Sequence, residues 1–149
     1  MRKLIKTVIK GNSGGKIKLL PPENFQKGII MKIAITSTGN SAVSALDLRF
    51  GRAANFVFYD TDKDEFSSID NKQNLNAAQG AGIQSAELIC KEGAKVLITG
   101  HCGPKAFRVL KAAGVEVYNC KAETVKKALK LYQEGKLQKA EDADVDAHW

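Results

Sequence analysis

The 149 residues are enough for one domain, and a hydrophobic content of 44% supplies a core for it. The net charge of +7 sits in residues 1–30, which hold seven basic residues and one acid, Glu23. Residues 31–149 balance 16 basic side chains with 15 acidic ones. That distribution argues against a general nucleic-acid-binding field, and no apolar run approaches the roughly 20 residues of a membrane helix.

In chain order, residues 1–30 come first and carry no regular pattern, being broken at Gly11-Asn12-Ser13-Gly14-Gly15 and Pro21-Pro22. They read as a flexible basic leader or as a non-native extension preceding a start at Met31. Their apolar stretch, Leu4 to Ile9, is interrupted by Lys6 and followed by no small-residue cleavage site, unlike a signal peptide. From Met31, strands are expected at 32–36, 55–60 and 65–70, the last two joined by the turn Thr61-Asp62-Lys63-Asp64. A helix follows over 77–92 and stops at Gly93. Then come strand 95–99, helix 104–113, Gly114 as a stop, strand 115–118 and helix 122–133. The order predicts an α/β fold with a mixed five-stranded sheet: an antiparallel meander continued by parallel β-α-β units, with helices on its faces. The domain is expected over 31–137, with 138–149 as a mobile acidic tail.

The most informative stretch is Gly100-His101-Cys102-Gly103-Pro104. It follows the apolar strand Val96-Leu97-Ile98, and Pro104 suits a first helical position. Ligands of open α/β sheets bind at such strand ends, and a helix start favours an anion. Cys102 and His101 add ligands for a soft metal, although a lone cysteine is more often a small hydrophobe. Thr36-Ser37-Thr38-Gly39-Asn40-Ser41 offers Thr36, Ser37 and Asn40 at the end of the first strand, but lacks a P-loop pattern. In Phe50-Gly51-Arg52 the glycine implies an unusual backbone that projects a guanidinium suited to oxyanions, or else a purely structural turn. Asn74 and Gln79, with Gly80 and Gly82, place amides and small residues at a helix start, where tight packing is the plainer reading. Cys90 reads as part of a helix core face and Cys120 as part of a strand-end loop. An odd number of thiols without C-x-x-C fits a reducing cytoplasm rather than a disulfide framework or zinc site. No Ser/His/Asp set and no carboxylate cluster is legible, and His148 lies in the tail, so the chain reads as a binder rather than an enzyme.

Several linked motifs carry a resemblance. Met31-Lys32-Ile33-Ala34-Ile35, Arg49-Phe50-Gly51-Arg52-Ala53 with Phe56, and Gly80-Ala81-Gly82-Ile83 are the first three. Thr99-Gly100, Gly103-Pro104-Lys105-Ala106-Phe107 and Gly114-Val115-Glu116-Val117-Tyr118 complete them. Together they resemble the dinitrogenase iron–molybdenum cofactor biosynthesis domain family, and the Asn-rich Gly80 segment with the Cys-Gly-Pro turn looks closest to its orange-protein branch. The resemblance implies a ribonuclease-H-like fold without nuclease activity. It also implies binding of an anionic metal–sulfur cluster, either molybdenum–copper sulfide or iron–molybdenum cofactor or its precursor. Many relatives carry a histidine before Phe-Gly-Arg where this chain has Arg49, which favours electrostatic capture over a histidine ligand.

The site expected from these readings comprises Thr36, Ser37, Asn40, Arg49, Arg52, Asn74, Gln79, Gly100, His101, Cys102, Gly103 and Pro104, with Cys102 as the one candidate direct metal ligand. The chain is expected to act as a cytoplasmic monomer that carries the cluster, with protein partners for delivery and isolation as apo-protein compatible with that role. Two readings from other classes stand beside it: a phosphometabolite-binding enzyme using the 100–104 turn, and a protein-interaction module.

Overall fold

The structure is a computed structural model and describes residues 31–75 and 80–141. The leader 1–30, Gln79 and the tail residues 142–149 with His148 lie outside the described residues. Strands β1 (Lys32–Ser37), β2 (Asn55–Asp60) and β3 (Glu65–Asp70) form an antiparallel meander, tightened by Asp64 in the left-handed region at φ 54°. Short helix α1 (Lys72–Leu75) and helix α2 (Ala81–Lys91) follow. Next come β4 (Ala94–Thr99), α3 (Pro104–Ala112), β5 (Glu116–Asn119), α4 (Val125–Gln133) and β6 (Gln138–Lys139).

One sheet of six strands, in the order β3-β2-β1-β4-β5-β6, unites them. β4 runs parallel to β1 and β5 parallel to β4, while the edge strand β6 is antiparallel to β5. The expected meander and parallel units are present, but the count is six rather than five. The sixth strand falls in the stretch read as tail: Gln138 pairs with Asn119 and Lys139 with Tyr118. Two residues are too few to show a period of two, which is why the pattern did not reveal it. The helix expected from 77 begins at Ala81 among the described residues, after Gly80 takes φ 80°.

The central strands explain themselves. Ile33, Ala34, Ile35, Val96, Leu97 and Ile98 are all at most 1% exposed, as the unbroken apolar runs require of strands covered on both faces. Alternation divides them. Ala34, Leu97, Phe56 and Phe58 pack under α2 and α3 with Ala86, Ile89, Phe107 and Leu110. Ile33, Ile35, Val96 and Ile98 pack under α4 with Val125, Ala128, Leu129 and Tyr132. Gly93 and Gly114 stop their helices in the left-handed conformation, at φ 89° and 81°. Two helices therefore cover one face and a third the other. That division governs the site.

Candidate functional site

The carboxyl ends of the parallel strands and the starts of the three long helices meet at one edge, but the three starts differ. At α4, Thr124 Oγ1 accepts from the Lys127 amide at 3.1 Å. The carbonyls of Ala42 and Ser44 accept from the amides of Lys126 and Val125, at 2.8 and 3.0 Å. The chain itself thus satisfies that helix start. The N-caps of α2 and α3 are glycines, Gly80 and Gly103, and among the described residues neither helix start has a side-chain cap. Pro104 occupies the first turn of α3, as expected. Each uncapped start presents partial positive charge.

These two starts are neighbours. A Cβ placed on Gly51 would lie 2.9 Å from the amide nitrogen of Gly82, and one placed on Gly82 would lie 3.3 Å from Ala106 Cβ. Gly51 therefore lies directly on the first turn of α2, which in turn rests on α3. A Cβ on Gly103 would meet nothing within 4 Å, so the approach to the α3 start is open. Arg52, the half-buried residue after Gly51, enters at this junction. Its flanking backbone is clamped from below. Asn71 Nδ2 donates to the Ala53 carbonyl at 3.0 Å and Ser85 Oγ donates to the Gly51 carbonyl at 3.0 Å. Both side chains are fully buried.

A second clamp orders the approach to that turn. Asp47, 6% exposed, accepts from the backbone amides of Arg49 at 3.0 Å and Ala54 at 3.4 Å. Its Oδ1 also lies 3.4 Å from Arg49 Nε, so part of the Arg49 charge is balanced within the loop. Residues 48–50 then run beside the 100–102 turn: His101 N–H donates to the Leu48 carbonyl at 2.8 Å and Phe50 N–H to the His101 carbonyl at 3.1 Å. Arg49 and His101 are paired as parallel neighbours.

The structure thus brings Arg49, Arg52, His101, Gly103 and Pro104 to one edge, on the side of α2 and α3, while Gly100 borders the α4 side. It places the other expected residues differently. Thr36 is fully buried; its hydroxyl donates to the Asp47 carbonyl at 2.6 Å and lies 3.1 Å from that of Thr99. Ser37, also fully buried, closes its own turn by donating to the Gly39 carbonyl at 2.7 Å. Both hydroxyls are committed to the fold and face no ligand surface. Asn40 is exposed on the loop whose later residues cover the start of α4, across the sheet from Gly103. Asn74, 2% exposed, donates to Asn71 Oδ1 at 2.8 Å and supports the clamp rather than a ligand. Cys102 is 1% exposed and packs in the apolar cluster with Phe50, Ala106 and Phe107. A thiol so placed is a core residue in this arrangement, as its size and polarity allow. Among the described residues no group of three or more His, Cys, Asp or Glu is arranged to hold a metal ion. Asn71, Ser85 and Asp47 were not anticipated. A polar residue just after a strand or inside a helix is too common a pattern to single them out.

Burial pushes the thiols of Cys90 and Cys120 above their ordinary values; Lys95 opposes this at Cys90, and the backbone amides of Ala122 and Lys121 oppose it at Cys120. Native-state alkylation at neutral pH is therefore expected at Cys90 first, with buried Cys102 and Cys120 reacting only as the chain unfolds. Mass mapping of the labelled cysteines checks this order, and early labelling of Cys102 would contradict its placement. Because these folded-state values are raised, the stability they contribute is intact below about pH 8.5 and is lost as the pH rises through them. Tyr59 adds to the alkaline loss, since burial and the Asp64 carboxylate, 2.6 Å away, hold its hydroxyl above the ordinary phenol value.

Known proteins similar to this chain share its fold. The apo form of the orange protein from Desulfovibrio gigas shares 37% identity, covers 77% of this chain and 97% of its own, and superposes with a TM-score of 0.75. A Thermotoga protein described as a candidate NifB protein shares 34% identity over 72% of this chain and 91% of its own, with a TM-score of 0.65. An uncharacterized protein of Methanocaldococcus jannaschii is 33% identical over 114 residues, which is 75% of this chain and 93% of the relative. Residues 31–135 match the family described as dinitrogenase iron–molybdenum cofactor, a span that begins at the charge boundary and holds every element through α4. The chain belongs to the dinitrogenase iron–molybdenum cofactor family.

Proposed function

We propose that this protein binds and carries, without catalysis, an anionic metal–sulfur cluster of the molybdenum–copper sulfide or iron–molybdenum cofactor type, and that it works in the cytoplasm. The observation that carries the reading is the junction of two helix starts, α2 and α3, both without side-chain caps, at the Gly51-Arg52 turn. Family membership supplies the class of cargo, and the junction supplies a place whose charge and openness suit it.

The roles follow from the residues. Backbone amides at the starts of α2 and α3 point toward the edge and favour an anion there. Arg52 adds a guanidinium suited to oxyanions, on backbone held by the clamp of Asn71 and Ser85. Open space at Gly103 admits a bulky ligand close to the α3 backbone. The apolar layer behind it, Phe50, Cys102 and Phe107, keeps water from the rear. Capture of this kind needs no bond from a protein thiolate, so Cys102 contributes as packing. Arg49, beside Asp47, adds a second guanidinium at the same edge.

Reconstitution of the full chain with tetrathiomolybdate and copper, followed by desalting, tests the reading. A visible charge-transfer band and molybdenum retained at a fixed ratio to protein are expected. Arg52→Ala should release most of the retained metal while leaving the fold intact, whereas Asn40→Ala on the α4 side should not. A colourless, metal-free eluate from the unsubstituted protein would defeat the proposal. Thermal protection by phosphate or nucleotide at the same residues would instead favour a phosphometabolite ligand.

A further inference from the structure

The opposite face of the sheet holds an open groove of about 730 Å³ between α4 and the ends of β4, β5 and β6. Its rim carries Lys121, Lys127 and Lys136 against the single acid Glu123, and its floor is formed by the half-buried Leu131 and Leu137. Lys136 lies 3.3 Å from Glu134, but its own side chain is 65% exposed, so the pair is screened by water. Nothing in the α2–α3 site uses these residues.

The distribution of charge selects the ligand. The start of α4, which would focus an anion at one point, is already satisfied by Thr124, Ala42 and Ser44. What remains is three separated lysines. They are spread from the loop before α4, through its first turn, to the loop after it. Lys127 and Leu131 lie one helical turn apart and so align along the groove. A compact anion would satisfy one lysine at a time. An extended chain with several carboxylates and an occasional apolar residue would satisfy all three and cover the leucines. Gly100 lines one wall of this groove, and Asn119 Nδ2 ties to its carbonyl at 3.1 Å, while the next residues turn toward the start of α3. An occupant here would therefore lie beside the cargo site without obstructing it.

We propose that this lysine-rimmed groove docks an acidic, partly apolar extended segment of a partner protein. The assignment stands whatever the α2–α3 site holds. It is tested by amide NMR of the full chain titrated with a synthetic peptide of repeating Glu-Glu-Leu. Saturable shifts are expected at 119–123, 127, 131 and 136–138, weakening as salt rises. The double reversal Lys127→Glu, Lys136→Glu should weaken binding at least about tenfold, with Lys127→Gln as the milder variant if the reversal impairs folding. A Lys-Lys-Leu peptide should produce no shifts. Shifts spread equally over Lys63, Lys91 and Lys111 would overturn the proposal, as would binding that the substitutions leave unchanged. Inorganic phosphate reproducing the same shifts would also overturn it, because the groove would then be a site for compact anions.

Discussion

Replacing Gly100 by alanine is expected to lower stability by about 2–3 kcal/mol, the upper part of the range for forcing extra volume into a packed site. The added methyl would lie 2.7 Å from the Leu48 carbonyl oxygen and 2.8 Å from Leu48 Cα and Cδ2. Two of these atoms are backbone, so no side-chain rotation relieves the contact. The Leu48 carbonyl also accepts the His101 amide at 2.8 Å, so moving it pulls apart the parallel pairing of 48–50 with 100–102. Gly103, three residues later in the same turn, is the control. Nothing lies within 4 Å of its missing Cβ, and its φ of −72° suits alanine, so only the N-cap preference is lost, less than about 1 kcal/mol. Calorimetry of the two variants checks the contrast, with Gly100→Ala melting roughly 10 °C lower. Equal melting temperatures for the two would show that the Leu48 contact does not restrain the turn.

The second large effect is expected at Asn71. Asn71→Asp keeps the shape but replaces the donor that faces the Ala53 carbonyl with an acceptor, in a site with no exposed surface. Repulsion between buried acceptors, together with the burial of a charge, should cost about 3 kcal/mol or more at neutral pH. Protonation of the introduced carboxyl restores a donor. The deficit relative to the unsubstituted protein should therefore shrink as the pH falls from neutral toward about 4, the ordinary Asp value, which urea titrations at matched pH values would detect. Ser85→Ala removes the bond to the Gly51 carbonyl and the one that Ser85 Oγ accepts from Asn71 Nδ2 at 3.1 Å, and should cost about 1–2 kcal/mol. If the clamp positions Arg52, both variants also lose retained molybdenum in reconstitution, in the same order as their stability loss. A pH-independent deficit at Asn71→Asp would show that its amide does not act as the donor.

Much of the fold was legible because it rests on local pattern. The runs 32–36 and 95–99 are apolar on both faces and became the central strands, and the spacing of Val125, Ala128, Leu129 and Tyr132 became the buried face of α4. Gly93 and Gly114 marked helix ends because left-handed backbone costs glycine least. The site was legible only as a set of loops. The polar composition of 36–41 said nothing about which face of the sheet its loop would join. The answer depended on α4 packing on the opposite side from α2 and α3, after which Ala42 and Ser44 could fill the α4 start. The direction of Cys102 depended on the parity of a short extended segment. His101 falls on the half-exposed side and Cys102 in the core, and a shift of one residue would exchange them.

The sequence by itself thus determined five of the six strands, the three long helices, the charge boundary at residue 31 and the family, because each is written in short-range spacing or linked motifs. Only the tertiary structure decided which loops form a site. Contacts such as Gly51 on Gly82, or Asn71 beneath Ala53, join residues 31 and 18 positions apart whose pairing no local pattern encodes. The helix starts are only partly local: Thr124 differs from Gly80 and Gly103 as a cap residue, but what completes the α4 start does not lie near it in sequence. Distant carbonyls fill the start of α4, whereas α2 and α3 keep theirs without side-chain caps, and that difference places the candidate anion site between them.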